Sequence, residues 1–378
     1  MEIIDIEAIP LSHSLDEGRG VGSSRGIHIT RSTTLVKLTA EDGSVGWGEA
    51  FAPARTTATV IEELFADKIV GMDPFAVESL AEQSYMEGYH FGGSAIVQCA
   101  LSGIDVAMWD LIGKQVNKPV HQILGGKTTT SITPYASTMY VTEWEQDPSE
   151  PIERAVEEGF TAAKIKIGRG FEDDIERVRT AREILGDDAD LMVDFNGNYR
   201  PKQVARSVEN LSEFDIAWVE EPVPPENHSG YRQVRDLVDV PIAAGEAHYN
   251  RFEFKRLIDD RTVDIVQPNL GRCGGFSEAR RIADMATTEN VAVRPHVWNS
   301  SVGLAAAIQF AASISEYPHS EYVPEPLLFE FDRSENPLRD ELLMESIDPT
   351  GGELDVSQGA GLGVSVDEAV VEQYRIDT

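Results

Sequence analysis

Between Lys164 and His296 the chain places seven residues fit for metal or proton chemistry, each closing a short apolar segment: Lys164, Lys166, Asp194, Glu220, Glu246, Asn269 and His296. Asp194, Glu220 and Glu246 stand 26 residues apart. Three carboxylates gathered at one place repel one another unless they share a cation, and an all-oxygen donor set without Cys or His favours Mg2+ over zinc. Lys164 and Lys166 are two residues apart on one strand, so both ammonium groups share a side. The charge on Lys164 disfavours protonation of Lys166 and predicts a lowered pKa there, toward what a general base needs. His296 is predicted to face Lys166 across the same mouth, with His248 a further histidine near it. Together these residues imply removal of a proton next to a carboxylate that a cation holds. If base and carbon acid differ by roughly ten pKa units, the gap is on the order of 14 kcal/mol. Preorganised positive charge is the contribution large enough to close it.

Such a ring needs a scaffold that ends one strand after another at one face. A spacing of 26 is about what a strand, a helix and two loops consume in a β/α barrel, where catalytic groups sit at the carboxyl ends of the strands. Strand-like segments fall at 132–137, 162–167, 191–195, 217–220, 241–246, 263–268, 291–296 and 322–331, eight in all, with amphipathic helices such as Phe171–Leu185 between them. Ahead of them, segments 3–11, 27–38 and 44–50 predict a small antiparallel sheet, and the glycine-rich 12–26 a flexible polar loop. Helices are predicted over 75–87, after Asp73-Pro74, and over 94–113, whose apolar spacing defines one long buried face. After Asn336-Pro337 the chain turns acidic and glycine-rich, and is expected to return and finish the N-terminal sheet. The expected division is a domain over 1–128, a catalytic domain over 129–332 and a returning segment over 333–378.

Composition narrows the partners. With 65 acidic against 32 basic residues and a net charge of −33, the chain lacks the basic footprint of a nucleic-acid binder and is poorly suited to anionic membranes. Only nine lysines occur, and so acidic a surface fits a salt-adapted protein, because salt screens the self-repulsion. Cys99 and Cys273 are too few for a disulfide framework, which points to a reducing compartment. The start carries no signal-peptide pattern and no apolar run approaches the ~20 residues of a membrane span, so a cytoplasmic location is expected.

An ordered set of motifs then carries a resemblance over nearly the whole chain. It comprises Ala107-Met108-Trp109-Asp110-Leu111, Leu124-Gly125-Gly126, Lys164-Ile165-Lys166, Val193-Asp194-Phe195-Asn196, Val219-Glu220-Glu221-Pro222, Gly245-Glu246, Gln267-Pro268-Asn269, Gly274-Gly275 and Pro295-His296. In these the sequence resembles the mandelate racemase and muconate lactonizing group of the enolase superfamily. The resemblance implies an α+β N-terminal capping domain completed by the C-terminus, and an α/β TIM-type barrel of eight strands and seven helices. It implies Mg2+ on Asp194, Glu220 and Glu246, bases at Lys166 and His296, a small-molecule carboxylate substrate and a homo-oligomer. Glu220 rather than Glu221 matches the family's metal ligand. Glu330, with Glu325 as fallback, resembles the family's acid on the last strand, which can hydrogen-bond the substrate carboxylate. Loops 12–26 and 51–57 match the family's specificity loops, with Arg19, Arg25 and Trp298 as candidates for a hydroxylated acid.

One departure matters. The racemase-like pattern has aspartate where this chain has Asn269. An amide can hold the imidazole of His296 but brings no negative charge to it, which weakens the case for two matched bases. The expected reaction is therefore dehydration of a sugar acid or other β-hydroxy acid to a 2-keto acid. The alternatives are a racemase, epimerase or cycloisomerase of a hydroxy or amino acid, and a metal-binding scaffold without catalysis.

Overall fold

The computed structural model describes residues 1–16, 18–90, 92–126, 131–142, 148–315 and 327–377. The N-terminal segments rich in Ile, Val and Thr pair as an antiparallel sheet in the order β1 (Ile3–Ser14), β4 (Thr30–Ala40), β5 (Val45–Ala50). Between the first two runs a small hairpin of β2 (Val21–Ser23) and β3 (Gly26–His28). The helix Ile96–Val116 lies on this sheet through Ile104, Ala107, Met108 and Leu111, against Val36 and Leu38. Contact is close enough that a Cβ on Gly48 would sit 2.0 Å from the Gly103 carbonyl oxygen, so β5 must carry glycine there. By length and composition this helix could cross a membrane, contrary to the sequence expectation, but 89% of its apolar window is buried inside the protein. It is a core helix.

The second half alternates strand and helix. The strands β6 (Ser131–Thr138), β7 (Ala162–Lys166), β8 (Asp190–Asp194), β9 (Ile216–Glu220), β10 (Ile242–Ala244), β11 (Ile265–Val266), β12 (Ala292–Val293) and β13 (Leu328–Asp332) are parallel, in the order β12-β11-β10-β9-β8-β7-β6-β13. Among the described residues seven α-helices separate them: Glu150–Glu157, Phe171–Leu185, Pro201–Asn210, His228–Arg235, Arg251–Asp259, Gly275–Thr288 and Ser301–Ala311. This is the expected TIM-type barrel of eight parallel strands and seven interspersed helices, beside an N-terminal capping domain. The first and last members of the order, β12 and β13, are linked where Val297 N–H donates to the Glu330 carboxylate at 2.8 Å.

Four expectations change. Strands β10, β11 and β12 are two or three residues long rather than six, and Pro268 and Pro295, which have no N–H to donate, stand just beyond the last two. Segment 12–26 holds a hairpin rather than only a flexible loop: Leu15 and Val21 pack on Tyr140, and Val141 N–H donates to the Gly22 carbonyl at 2.9 Å. The helix expected from residue 75 starts at Val77, because Asp73 turns the chain by accepting from Phe75 N–H. Among the described residues the C-terminal segment adds no full strand to the N-terminal sheet; β14 (Leu354–Asp355) pairs antiparallel with barrel strand β6, and a single bridge joins Leu11 to Arg375. Part of the eighth expected strand, Glu325, and the expected boundary between 128 and 129 lie outside the described residues.

Candidate active site

Register builds one half of the site. Lys166 lies opposite Asp194, and Asp194 opposite Glu220, so three charged residues stand level at the ends of β7, β8 and β9. Glu246 comes two residues after β10, beyond Gly245, where φ is +156° and a Cβ would sit 2.6 Å from Gln267 N. A side chain at 245 would collide with the next strand's backbone, so glycine lets Glu246 turn in. One oxygen from each of Asp194, Glu220 and Glu246 lies within 4.8 Å of the others. Glu220, not Glu221, belongs to this group, as expected. Glu221 is turned off the ladder with φ +39°, and its buried Oε1 has no partner among the described residues.

The two lysines differ. Lys164 is fully buried between Glu220 and Glu330, 2.9 Å from the latter, whereas Lys166 keeps 10% of its side chain exposed and pairs with Asp194 at 2.5 Å. Burial alone would lower the Lys166 pKa, and Lys164 adds to that, but Asp194, Glu246 and Glu220 outweigh both and the net direction is up. The expected lowering by Lys164 is thus overturned, because the carboxylates lie closer to Lys166 than that expectation allowed. Lys164 is likewise raised: burial opposes its charge, and Glu220 and Glu330 more than offset it. Burial, together with Asp194 and Glu330, pushes Glu220 up to about 7 despite Lys164. Such a surplus of close carboxylates, all hard oxygen donors, fits a small divalent cation. Gln267 Nε2 at 2.5 Å and Trp218 Nε1 at 3.4 Å hold the second Glu220 oxygen.

The other half, the Glu246 carboxylate apart, is built from neutral hydrogen bonds. Gly271 N–H can only donate, and it reaches Asn269 Oδ1 at 2.9 Å. Asn269 Nδ2 therefore faces the other way, 2.9 Å from His296 Nδ1, 2.7 Å from Asn299 Oδ1 and 3.2 Å from the His296 carbonyl oxygen. With Nδ1 accepting, a neutral His296 carries its proton on Nε2, which lies 3.1 Å from Glu246 Oε2.

The remaining expected residues fall as follows. Glu330 sits mid-strand, buried, with its oxygens on Lys164 and Val297 N–H. His248 packs against His228 and Phe254, with ring centroids 6.1 and 5.8 Å apart. Arg19 pairs with Glu335 at the surface and Arg25 is exposed. Trp298 gathers His28, Phe51 and Tyr140 within 6.4 Å and lies under Arg31. Three neighbours escaped the sequence reading. Tyr140, whose ring lies 5.6 Å from Lys166 Nζ, stands in no motif. Arg177, which donates to the Lys166 carbonyl at 2.9 Å, sits on the buried face of an amphipathic helix where its reach is not legible. Asn299, three residues past His296, lay within reach of the Pro295-His296 motif.

Residues 149–370 match the enolase C-terminal domain-like family, and residues 17–125 match the mandelate racemase / muconate lactonizing enzyme N-terminal domain. The D-galactarolactone cycloisomerase of Agrobacterium fabrum is 36% identical over 380 residues, spanning all of this chain and 99% of that protein. The arabinonate dehydratase of Saccharolobus solfataricus is 30% identical over 344 residues, 90% of this chain and 89% of that one. The crystal structure of the 3,6-anhydro-D-galactonate cycloisomerase from Zobellia galactanivorans superposes with a TM-score of 0.90 at 35% identity, over the whole of both chains.

Proposed function

We propose that this chain, which belongs to the mandelate racemase/muconate lactonizing enzyme family of the enolase superfamily, is a lyase that eliminates a β-oxygen from a sugar acid to give a 2-keto-3-deoxy acid. The observation that carries the reading is the orientation of the Asn269 amide, which leaves the neutral His296 with its donor at Nε2, 3.1 Å from Glu246 Oε2 on the site side. Asp194, Glu220 and Glu246 are the residues that would hold Mg2+, which supplies positive charge for the substrate carboxylate and for the negative charge that builds on it.

With Asp194, Glu220 and Glu246 engaged by the cation they would hold, Lys166 would lose the charges that keep it protonated; from its neutral form its Nζ takes the proton from C2, and the C2–H pair becomes the electrons of an enolate. Those electrons form C2=C3 as the C3–O bond breaks; the proton now on Lys166 Nζ passes to the departing oxygen, which His296 Nε2–H steadies with a hydrogen bond as it leaves. The resulting enol tautomerises to the 2-keto acid. Lys164, shut away from solvent, keeps Glu220 and Glu330 compensated. Racemisation would need His296 to accept a proton at Nε2, which a donor there does not support.

A second reading has its own support. If the departing oxygen is a ring oxygen, it stays tethered, no water is lost and the same elimination is a cycloisomerisation. Two of the relatives named above, at 35 and 36% identity, carry cycloisomerase names. Incubation with Mg2+ and a panel of aldonic acids, aldaric acids, their lactones and anhydro acids, followed by NMR in D2O, tests both. A 2-keto-3-deoxy product from open acids supports dehydration, and the same product only from cyclic ones supports the tethered form. Deuterium in recovered, epimerised substrate without any keto product would sink elimination.

A further inference from the structure

A cavity of about 280 Å3 opens between the N-terminal sheet and the barrel mouth, lined by Arg31, Phe51, Arg272, Trp298 and Asn299 among others. It borders the site directly. Arg272 Nη1 donates to the Glu246 backbone oxygen at 3.0 Å, and Asn299 accepts from the Asn269 amide that orients His296. Its charge is incompletely matched. Arg272 otherwise donates to the Phe51 carbonyl at 3.2 Å and stacks on that ring, and among the described residues it pairs with no carboxylate. Arg31 comes from β4, far away in sequence, and is 4% exposed; its Nη1 has no hydrogen-bond partner among the described residues. Its Nε reaches the Glu335 carbonyl, and its Nη2 reaches Ser334 and, at 3.5 Å, Asp332, a carboxylate that Arg339 shares at 3.4 Å. Glu49, also in the lining, is spent on Ser300 N–H and hydroxyl, Gly303 N–H and the Thr33 hydroxyl. Arg31, with one guanidinium nitrogen unpartnered, and Arg272, without a carboxylate partner among the described residues, both line this cavity, a lining suited to an anion.

We propose that this cavity is a second anion subsite of the same active site, and that the substrate is a dicarboxylic sugar acid, an aldaric acid or its monolactone, whose remote carboxylate binds Arg272 and Arg31. The inference rests on the elimination reading for the near carboxylate. Trp298, held by its Nε1–H on the Tyr140 hydroxyl at 3.1 Å, supplies the apolar wall between the two ends. An aldonic acid of the same length would present a hydroxyl where the two arginines expect a charge.

The test uses the Mg2+-loaded protein and matched pairs that differ only at C6: D-glucarate against D-gluconate, and galactarate against D-galactonate. Calorimetric affinities are measured for the wild type, Arg272→Met, Arg272→Lys and Arg31→Met. The wild type should prefer the dicarboxylate of at least one pair by about tenfold or more. That ratio should fall to near one in Arg272→Met, fall in Arg31→Met and survive in part in Arg272→Lys. Equal affinity within every pair in the wild type, or a ratio that Arg272→Met leaves intact because both members weaken together, would overturn the subsite. Thermal melts of each variant identify unfolding, and the lysine variant then carries the test. Turnover in D2O is scored separately: elimination from aldonic acids without dicarboxylate preference defeats the subsite alone, whereas tight dicarboxylate binding without elimination from any acid defeats the parent reading alone.

Discussion

The two halves of the ring are held by different physics. From β7 to β9 the functional groups are charged, stand in strand register and compensate one another through Lys164–Glu220 and Lys166–Asp194 pairs. From β10 to β12 the strands are two or three residues long, and the groups lie beyond them, positioned by Gly245, by the Asn269 amide and by backbone donors. Register makes the first half rigid in position and tunable only by charge. Hydrogen-bond polarity makes the second half tunable by a single atom, because which way an amide faces decides whether the imidazole presents an N–H or a bare nitrogen at Nε2.

Substitutions can break this contrast, beginning with the largest effect. Lys166→Ala removes the proposed base, and α-proton exchange, followed by NMR in D2O, should fall by about 10³- to 10⁴-fold while circular dichroism stays unchanged. Exchange at wild-type rate would remove Lys166 from the chemistry. Lys164→Met leaves Glu220 and Glu330 buried without their shared cation, and urea unfolding should report a loss of about 3–5 kcal/mol. A loss under about 1 kcal/mol would mean that the charged half is not held by its pairs. Mg2+ addition should stabilise the wild type by about 2.7 kcal/mol at a hundred times its Kd, since the unfolded chain does not gather three carboxylates. Replacing Glu246 by Gln should shrink that gain, and an undiminished gain would place the cation elsewhere.

The same contrast explains what was legible in the sequence. The 26-residue spacing of Asp194, Glu220 and Glu246 survives folding because parallel strands turn equal spacing into equal height. The eight-stranded barrel and the candidate metal-ligand trio follow from that periodicity, whereas the count of seven helices came from the family resemblance. The direction of the Lys166 pKa did not, since two lysines are adjacent in sequence whereas the carboxylates that outweigh them come from other strands. Nor did Asn269 reveal which atom it turns to His296: that depends on Gly271 N–H, a backbone group every residue possesses. Arg31 and Arg272 are 241 positions apart, and nothing in either neighbourhood indicates that they line one cavity. The returning C-terminus was placed only in part: its end does reach β1, where Ile376 N–H donates to the Pro10 carbonyl at 3.0 Å, but β14 joins barrel strand β6, because short acidic segments carry no periodicity that distinguishes a barrel edge from the N-terminal sheet.

Asn269→Asp has the smallest expected effect on rate and tests the polarity argument most directly. One carboxylate oxygen would still accept Gly271 N–H, while the other would face His296 Nδ1 and draw the imidazole proton to it. Nε2 would then be bare, and the mouth would hold two bases in place of a base and a donor. Elimination should drop by about 10- to 100-fold, since the departing oxygen loses its hydrogen-bond donor. Deuterium should begin to enter recovered substrate with inverted configuration at C2, a product not expected of the wild type on the elimination reading. Asn299→Ala, which removes only an acceptor of the same amide, should leave the stereochemistry alone. If Asn269→Asp eliminates as fast as the wild type and returns no epimer, His296 does not act through the tautomer that Asn269 sets, and the neutral half of the ring is scaffold.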